Sequence, residues 1–343
     1  MSTSNRFHFL DSLRGFAVAG ILLVNAADLM CLGYDVPVRP FQAVPLAENV
    51  LNFLVATRFV PIFSFMFGMS MGFVIDSAIR RGAPAWKILL RRLAALLVIG
   101  LLHSILYPGE ILRDYAVVGA ILLPFVLKVP RSVRLVLGLL ATVGAYAFTG
   151  GGELSLPGLF LLGSAAQAYG LPARLEHADR RIGAATLVFA AASAAAIPWQ
   201  AAEGGDPRFF TAGGVAGGLM ACLYVCLLAL LWRTPVRRAL SAVFEPLGRM
   251  ALTCYVTASF VMVPAGVLLD SRSTQDVIPG LIVAAAVLPV QWVFCRLWLS
   301  RFAYGPLEWV WRCITWWRWI PLQRPQSKRL DPVSSVPTTA GMA

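Results

Sequence analysis

Charged residues are scarce in this sequence. Asp, Glu, Lys and Arg together make up 13% of its 343 residues, whereas soluble domains carry about 25% because water must solvate their surfaces. The shortage excludes an ordinary soluble globular protein. The 58% of hydrophobic residues instead favours a chain whose main solvent is lipid.

Paired cysteines and histidine-rich clusters are also missing. The six cysteines are scattered, and their spacing resembles neither a disulfide framework nor a zinc site, so we expect no bound metal. Only three histidines occur: His8 and His177 lie in basic segments and are interpreted as solvated, which leaves His103. The first apolar run is long enough to stay in the membrane, and no small-residue cleavage site follows it, so it is interpreted as a first span.

Apolar segments long enough to cross a bilayer recur along the chain. About 20 such residues are needed, and 17 to 25 are tolerated. The sixth segment is the weakest, since Pro157, Gly158 and Gly163 interrupt it. The pattern predicts one all-α membrane domain over residues 6–322, a bundle of about ten transmembrane helices. Their approximate limits are 16–32, 50–75, 88–107, 111–127, 132–149, 154–170, 182–199, 211–232, 250–269 and 277–299.

Basic residues lie mostly on one side of this arrangement. If ten spans start from a cytoplasmic N-terminus, 24 of the 29 Lys and Arg residues lie on the cytoplasmic side, which predicts that both termini are cytoplasmic. The net charge of +12 does not indicate nucleic acid, because the basic residues stand between apolar runs. The Trp- and Arg-rich segment 305–320 predicts a helix in the headgroup region. The Pro- and Ser-rich residues 323–343 predict a disordered cytoplasmic tail.

Several polar residues lie inside or beside the predicted spans. Asp11, Arg14, Asn25 and Asp28 fall within one arc of the first helix, and Arg58 lies in the second span. Insertion of such groups costs a few kcal/mol, so they face a bundle interior or a cavity. The alternative to a binding role is a structural one, in which these residues form hydrogen bonds between helices and Asp11 pairs with Arg14. Arg58 is expected either to extend outward or to meet a carboxylate.

The densest titratable cluster surrounds His103, near the outer end of the third span. Glu110, Arg113 and Asp114 follow after a short turn. A histidine with a carboxylate partner can act as a general base near neutral pH. The alternative is a histidine bonded to a backbone carbonyl, with Glu110 and Arg113 paired to order the turn.

Six segments resemble the YeiB family of bacterial membrane proteins, which is also catalogued as a domain of unknown function. The resemblance covers nearly the whole chain and implies a location in the bacterial cytoplasmic membrane. The segments are LDSLRGFAVAGILLVN (10–25), RFVPIFSFMFG (58–68), GLLH and GEILRDYAVVG (100–119), GLFLLG (158–163), GRMALTCY (248–255) and GPLEWVWRCIT (305–315).

The start of the chain is also similar to transmembrane acyltransferases. Its D-x-x-R-G motif, followed after ten residues by Asn25, resembles acyltransferase family three and the heparan-glucosaminide N-acetyltransferases. The first of these carries a functional histidine at the position of Asn25, and the second an asparagine. This sequence departs from both, since it has no histidine between His8 and His103. The resemblance implies acyl transfer if His103 replaces the missing base; the alternative is that the chemistry has been lost or changed.

The leading hypothesis is therefore a membrane acyltransferase. His103 would act as base and Glu110 or Asp114 would orient it, while Asn25 and Arg58 would stabilise the oxyanion or position the acceptor. Asn25, Arg58 and His103 share one depth in the predicted topology, so we expect them to converge in one cavity.

The predicted donor is a cytosolic acyl-CoA, with Arg14 as its phosphate-binding residue, and the acceptor is a sugar, a lipid or a small molecule. Two alternatives remain at this point, a transporter of a small solute and a non-catalytic membrane scaffold. The sequence leaves the oligomeric state open.

Overall fold

The chain folds into helices that pack as one bundle. A computed structural model describes residues 6–37, 44–177 and 180–323. Across these ranges the regular structure is helical, apart from an isolated bridge between Phe302 and Gln323, so the all-α prediction is confirmed. The tail predicted to be disordered lies outside the described residues, except for Gln323.

The helices follow the apolar runs of the sequence, and several of them end at a charged residue. In chain order the α-helices of the described part are α1 (His8–Leu29), α2 (Leu46–Leu54), α3 (Phe59–Arg80), α4 (Ala85–His103), α5 (Leu112–Lys128), α6 (Arg131–Thr149), α7 (Leu156–Ala168), α8 (Leu171–His177), α9 (Arg180–Glu203), α10 (Thr211–Leu231), α11 (Arg237–Arg249), α12 (Ala251–Leu268), α13 (Ile278–Arg301) and α14 (Pro306–Trp316).

The long helices identify a membrane protein. In the described ranges, seven helical segments are long and apolar enough to cross a bilayer: α1, α2 with α3, α6, α9, α10, α12 and α13. Each of the ten predicted segments coincides with a helix or a helix pair, and seven of them are candidate crossings by length and composition. The α4 helix carries Lys87, Arg91 and Arg92 in its first half, and α5 has 17 residues.

Two spans are interrupted, and each interruption has a local cause. Thr57 adopts a left-handed backbone (φ 65°) between α2 and α3. Gly170, with φ 75°, separates α7 from α8, where the chain bends by 74°. A Cβ atom is disfavoured at such φ values, so glycine suits the second bend. If α7 and α8 count as one broken span, the number of candidate crossings rises to eight.

The bundle has two distinct ends. At the end where α1 begins, called here the terminal end, Arg6 pairs with Glu245 of α11 at 3.3 Å. At the opposite end, Arg208 pairs with Asp28 at the end of α1 at 2.5 Å. Each ion pair therefore joins residues that are remote in sequence and lie at the same end of the bundle.

Helix α1 lies at the centre of the bundle and is the most buried of the long apolar helices, whereas α6 is the least buried. Its crossing with α11 is close: a Cβ added at Gly15 would overlap the carbonyl of Phe244, and one added at Gly248 would overlap the carbonyl of Asp11. Small residues permit such backbone contact between membrane helices. The sequence did not predict α11, which is amphipathic and too polar for a span.

Helix α14 covers the terminal end beside α4. It has 11 residues, or about 16 Å of helix, which is too short to cross a bilayer. The Trp311 indole donates to the backbone carbonyl of Arg92 at 2.7 Å. The segment predicted over 305–320 is therefore a short helix that ends at Trp316 and packs on the bundle.

Candidate functional site

Three buried side chains form a hydrogen-bonded line. His103, the last residue of α4, contacts the Glu110 carboxylate through Nδ1. Its Nε2 lies 2.9 Å from the hydroxyl oxygen of Ser259 in α12. The exposed fractions of His103, Glu110 and Ser259 are 4%, 2% and 2%. A carboxylate, an imidazole and a hydroxyl are thus joined in that order, away from bulk solvent.

Local structure fixes the carboxylate on two sides. Glu110 precedes α5, and its second oxygen accepts the backbone N–H of Leu112, which satisfies a free donor at the helix start. The rings of Tyr107 and Tyr255 flank His103 at 6.2 and 5.4 Å between centroids. The imidazole is therefore held in one orientation from several directions.

This order of groups suits acid–base chemistry. An ionised Glu110 can only accept hydrogen bonds, so Nδ1 of His103 carries the hydrogen and donates to it, which leaves Nε2 free to accept a hydrogen bond from the Ser259 hydroxyl. A base held by a carboxylate and bonded to a hydroxyl is the arrangement that activates a serine nucleophile. The line can thus remove a proton from Ser259 and return it to a leaving group.

A small cavity lies beside Ser259. It measures about 10 Å³, close to the space that one water molecule needs. Asn25 lines it together with Tyr107, Ser259 and Gln291, and we call it the Asn25 cavity. The structure therefore places Asn25 and Ser259 in the wall of the same small cavity, whose lining does not include His103.

A larger cavity of about 130 Å³ extends from the terminal end into the bundle. Arg14, Arg92, Arg249 and Glu308 line its polar part, and we call it the arginine cavity. The rest of its wall is mainly apolar. Tyr255, whose ring packs on His103, lines both this cavity and the Asn25 cavity. One side chain is thus common to the two cavities and the buried line.

The residues around the arginine cavity are held by specific contacts. Arg14 lies 3.4 Å from Asp11. Arg92 donates to Ser70 at 3.2 Å, with its guanidinium 3.6 Å from the centre of the Trp311 ring. Three arginines against one carboxylate leave this cavity with a net positive charge, which favours an anionic ligand.

Glu308 of α14 is the carboxylate of this cavity. It accepts the backbone N–H and the hydroxyl of Thr253 at 3.0 and 2.6 Å, so it joins α14 to the start of α12. Burial raises the pKa of Glu308, while the bonds from Thr253 act in the opposite direction. The Glu308 carboxylate is therefore already hydrogen-bonded within the protein.

The structure does not place Arg58 with Asn25 and His103, so the predicted convergence of all three is wrong. Arg58 is fully buried at the start of α3, where its guanidinium donates to the Ala56 carbonyl at 2.5 Å and to the Gln200 amide oxygen at 2.6 Å. It neither extends outward nor meets a carboxylate. Equal depth along a span fixes the height of a side chain but not its direction around the bundle.

Asp114 also takes a different partner. Its carboxylate pairs with the neighbouring Arg113 at 3.2 Å, and both side chains are partly exposed. Of the two carboxylates that the sequence offered to His103, the structure brings Glu110 to the ring. Glu110 is therefore the group that can orient His103.

Sequence reasoning missed Ser259 and Tyr255. Ser259 lies 156 residues from His103, and its only sequence signal is a small hydroxyl residue in an apolar span. Tyr255 ends the segment GRMALTCY (248–255) that carries the family resemblance, but nothing in the sequence linked it to His103. Arg92 was counted as a cytoplasmic charge, whereas it reaches into the arginine cavity.

Comparison with other proteins gives a family without an assigned activity. The model of "Protein of unknown function (DUF418)" matches residues 170–318. An uncharacterized 39.9 kDa protein in the amylase 3' region of Bacillus acidopullulyticus is 30% identical over 342 residues, covering 94% of this chain and 97% of the relative. The uncharacterized protein YxaH of Bacillus subtilis is 29% identical over 392 residues, with the same coverage.

No solved structure matches this chain. The similarity to the Bacillus acidopullulyticus relative extends over nearly the full length of both proteins. The chain therefore belongs to the same family as that uncharacterized relative, and the model of "Protein of unknown function (DUF418)" matches part of it.

Proposed function

We propose that this protein is an integral membrane acyltransferase that moves an acyl group from a cytosolic acyl-CoA to a hydroxyl or amine of a sugar, lipid or small molecule. The observation that carries the proposal is the buried line Glu110, His103 and Ser259. The earlier resemblance to the YeiB family and to transmembrane acyltransferases agrees with it. Neither relative's name assigns an activity, so the proposal depends on the geometry.

The proposed setting is the bacterial cytoplasmic membrane, with ten crossings and both termini in the cytoplasm. In this topology α2 with α3 counts as one crossing, and α4, α5 and α7 complete the ten. The ion pairs at the two ends of the bundle support it, because each joins loops that the topology assigns to one side. The excess of Lys and Arg at the terminal end favours the cytoplasm there.

The first half of the reaction acylates Ser259. Its Oγ attacks the thioester carbonyl carbon while the hydroxyl proton passes to Nε2 of His103. The carbon–sulfur bond breaks, and the leaving thiolate takes that proton from His103. The products are free CoA and an ester of Ser259.

The second half transfers the acyl group onward. The acceptor hydroxyl or amine gives a proton to Nε2 of His103 and attacks the ester carbonyl. The bond to Ser259 Oγ then breaks, and the serine regains its proton from His103. Glu110 stabilises the imidazolium at both stages, as an orienting carboxylate does.

Two further groups support these steps. Asn25 shares a cavity with Ser259 and offers an amide N–H to the oxyanion. Arg14, together with Arg92 and Arg249, gives the arginine cavity the positive charge that the phosphates of the donor require. The mainly apolar wall between them suits an acyl chain.

The acyl-enzyme can be tested without knowledge of the acceptor. Membranes containing the protein would be incubated with acetyl-CoA or palmitoyl-CoA labelled in the acyl group, and the label would be located by peptide mass spectrometry. We expect label on the peptide that contains Ser259, and none there in Ser259→Ala. His103→Ala should label at least about 10⁴ times more slowly.

Ser193→Ala is the matched control, since Ser193 is an equally buried serine in α9; it should label normally. Unchanged labelling in Ser259→Ala, or no label from either thioester in the unmodified protein, would overturn acyl transfer.

Transport of a small solute is the second candidate function. It is favoured by cavities at both ends of the bundle, since a volume of about 660 Å³ lies near Arg208 at the opposite end. The same experiment in sealed vesicles separates the two functions. Accumulation of intact thioester without acylation of Ser259 would support transport instead.

A further inference from the structure

A basic recess lies at the terminal end, separate from the arginine cavity. It occupies about 450 Å³ between the turn after α3, the first turns of α4 and the residues that follow α14. Arg81, Lys87, Arg91 and Arg318 line it, together with the ring of Trp316. None of the described residues in its lining is acidic. We call it the basic recess.

Aromatic contacts orient the guanidinium groups of this recess. Arg81 lies over Trp316, 4.2 Å from the ring centre, and Arg91 lies 5.2 Å from the centre of the Trp317 ring. Stacking fixes each planar group while leaving its N–H donors free to bind oxygen. Two arginines, one in the turn after α3 and one in α4, therefore line the same recess with oriented guanidinium groups.

Like charges are crowded here. Burial lowers the pKa of Arg81, and the neighbouring charges of Arg318 and Arg312 lower it further. An anion in the recess would relieve this repulsion. Because guanidinium groups bind phosphate oxygens in pairs, a phosphodiester is the anion that suits two oriented arginines.

The surroundings favour an amphiphile over a free anion. Ile79 of α3 and Leu90 of α4 are close in sequence to residues that line the recess, and both are exposed apolar side chains. Trp317 and Trp319 are 71% and 80% exposed next to it. Tryptophan is enriched where membrane meets water. The basic recess thus adjoins both an apolar flank and an interfacial aromatic cluster.

We propose that the basic recess binds the headgroup of an anionic phospholipid, with the phosphodiester between Arg81 and Arg91 and the acyl chains along the apolar flank. Basic pockets on the cytoplasmic side of membrane proteins have the charge to bind such headgroups. The proposal depends on the membrane placement of the bundle and not on acyl transfer, so either can fail alone.

Native mass spectrometry of the purified full chain tests this inference. The protein would be held in detergent micelles with equal amounts of phosphatidylglycerol and phosphatidylcholine. We expect at least about fivefold more phosphatidylglycerol to be retained. Equal retention of the two lipids by the unmodified protein would overturn the proposal, whatever the variants do.

Variants locate the lipid. Arg81→Gln combined with Arg91→Gln should reduce phosphatidylglycerol retention by about twentyfold, since each basic residue near a membrane surface contributes about fivefold. Arg318→Gln should reduce it by about fivefold. The matched control is Arg233→Gln combined with Arg238→Gln, which removes two exposed charges elsewhere at the terminal end. An equal loss in this control would show unspecific attraction and overturn the site.

Competition separates lipid from free phosphate. Inorganic phosphate and adenosine 3',5'-bisphosphate, the nucleotide part of CoA, would be added at millimolar concentration. We expect phosphatidylglycerol to remain bound. Displacement by either compound would assign the basic recess to a soluble anion and contradict a lipid occupant. Ser259→Ala should retain the lipid normally, which keeps this result independent of acyl transfer.

Discussion

His103 and Arg58 are both buried ionisable residues near helix ends, but their partners differ. His103 touches a carboxylate and a hydroxyl, and the hydroxyl borders a cavity. Arg58 donates to a carbonyl, an amide oxygen and neighbouring groups that carry no formal charge. The first set of contacts can exchange protons, whereas the second set holds a permanent cation in place.

The difference teaches that burial of an ionisable group does not by itself identify a functional site. Gln200, which accepts from Arg58, also donates to the Asn52 carbonyl at 2.9 Å, so this network joins α2, α3 and α9. Buried donors that keep neutral partners contribute to structure. We therefore assign chemistry to His103 and a structural role to Arg58, and four changes test that division.

The largest effect is expected at the buried line. When two residues such as Ser259 and His103 act together, the loss of either one removes nearly the whole rate enhancement that the pair provides. The double variant His103→Ala/Ser259→Ala should therefore consume labelled thioester no more slowly than either single variant, each being reduced by at least about 10⁴-fold. Rates in membranes, normalised to folded protein, measure this. Additive losses would contradict a shared function.

Arg58→Gln should instead act on stability. It leaves buried oxygens without their donor, which costs about 3 kcal/mol, while the rate of thioester consumption per folded molecule stays within about twofold of normal. Thermal unfolding in detergent measures the first quantity. Arg113→Gln, an exposed arginine in an ion pair, is the control and should change little. A lost rate with normal stability would place Arg58 in the chemistry.

Asn25→Ala should reduce thioester consumption by about a hundredfold, as the loss of one oxyanion donor does. Binding of the donor should be nearly unchanged, because the amide acts on the developing charge. Initial rates over a range of acetyl-CoA concentrations separate the two quantities. If the KM rises while kcat is constant, Asn25 positions the substrate instead.

The smallest effect is expected at Glu308, which lines the arginine cavity and, like Arg58, has hydrogen-bond partners within the protein. Its pKa is raised by burial, so the folded state holds an extra proton between the unfolded and folded pKa values. Stability is therefore full below the unfolded pKa and falls as pH rises through the folded pKa.

Glu308→Gln should remove the loss of stability that accompanies rising pH. At low pH it should lower the free energy of unfolding by less than about 1 kcal/mol, since the amide oxygen still accepts a hydrogen bond from Thr253. Thermal unfolding between pH 4 and pH 8 measures it. Glu153→Gln, an exposed residue at the opposite end, should keep the unmodified profile. A profile in Glu308→Gln as steep as in the unmodified protein would show that another group titrates.

The same comparison shows how much the sequence could predict. Helices coincide with the apolar runs because lipid leaves backbone groups no partner outside the helix. Glu110 was within reach of prediction since it lies seven residues from His103 in one turn. Ser259 was not, because its position depends on how α12 packs against α4. The direction in which the Arg58 side chain points depends likewise on the rotation of its helix about its own axis. The depth of a residue along a span does not predict that rotation.

The length of helix α1 determines the distance between two residues of the proposed site. Helix α1 is a single 22-residue helix that carries Arg14 in the arginine cavity and Asn25 in the Asn25 cavity. Eleven residues of helix separate the two by about 16 Å. A donor that uses both residues must place its anionic group and its reacting carbonyl that far apart. Acyl phosphates, in which phosphate adjoins the carbonyl, are too short, whereas a thioester on a long arm spans the gap.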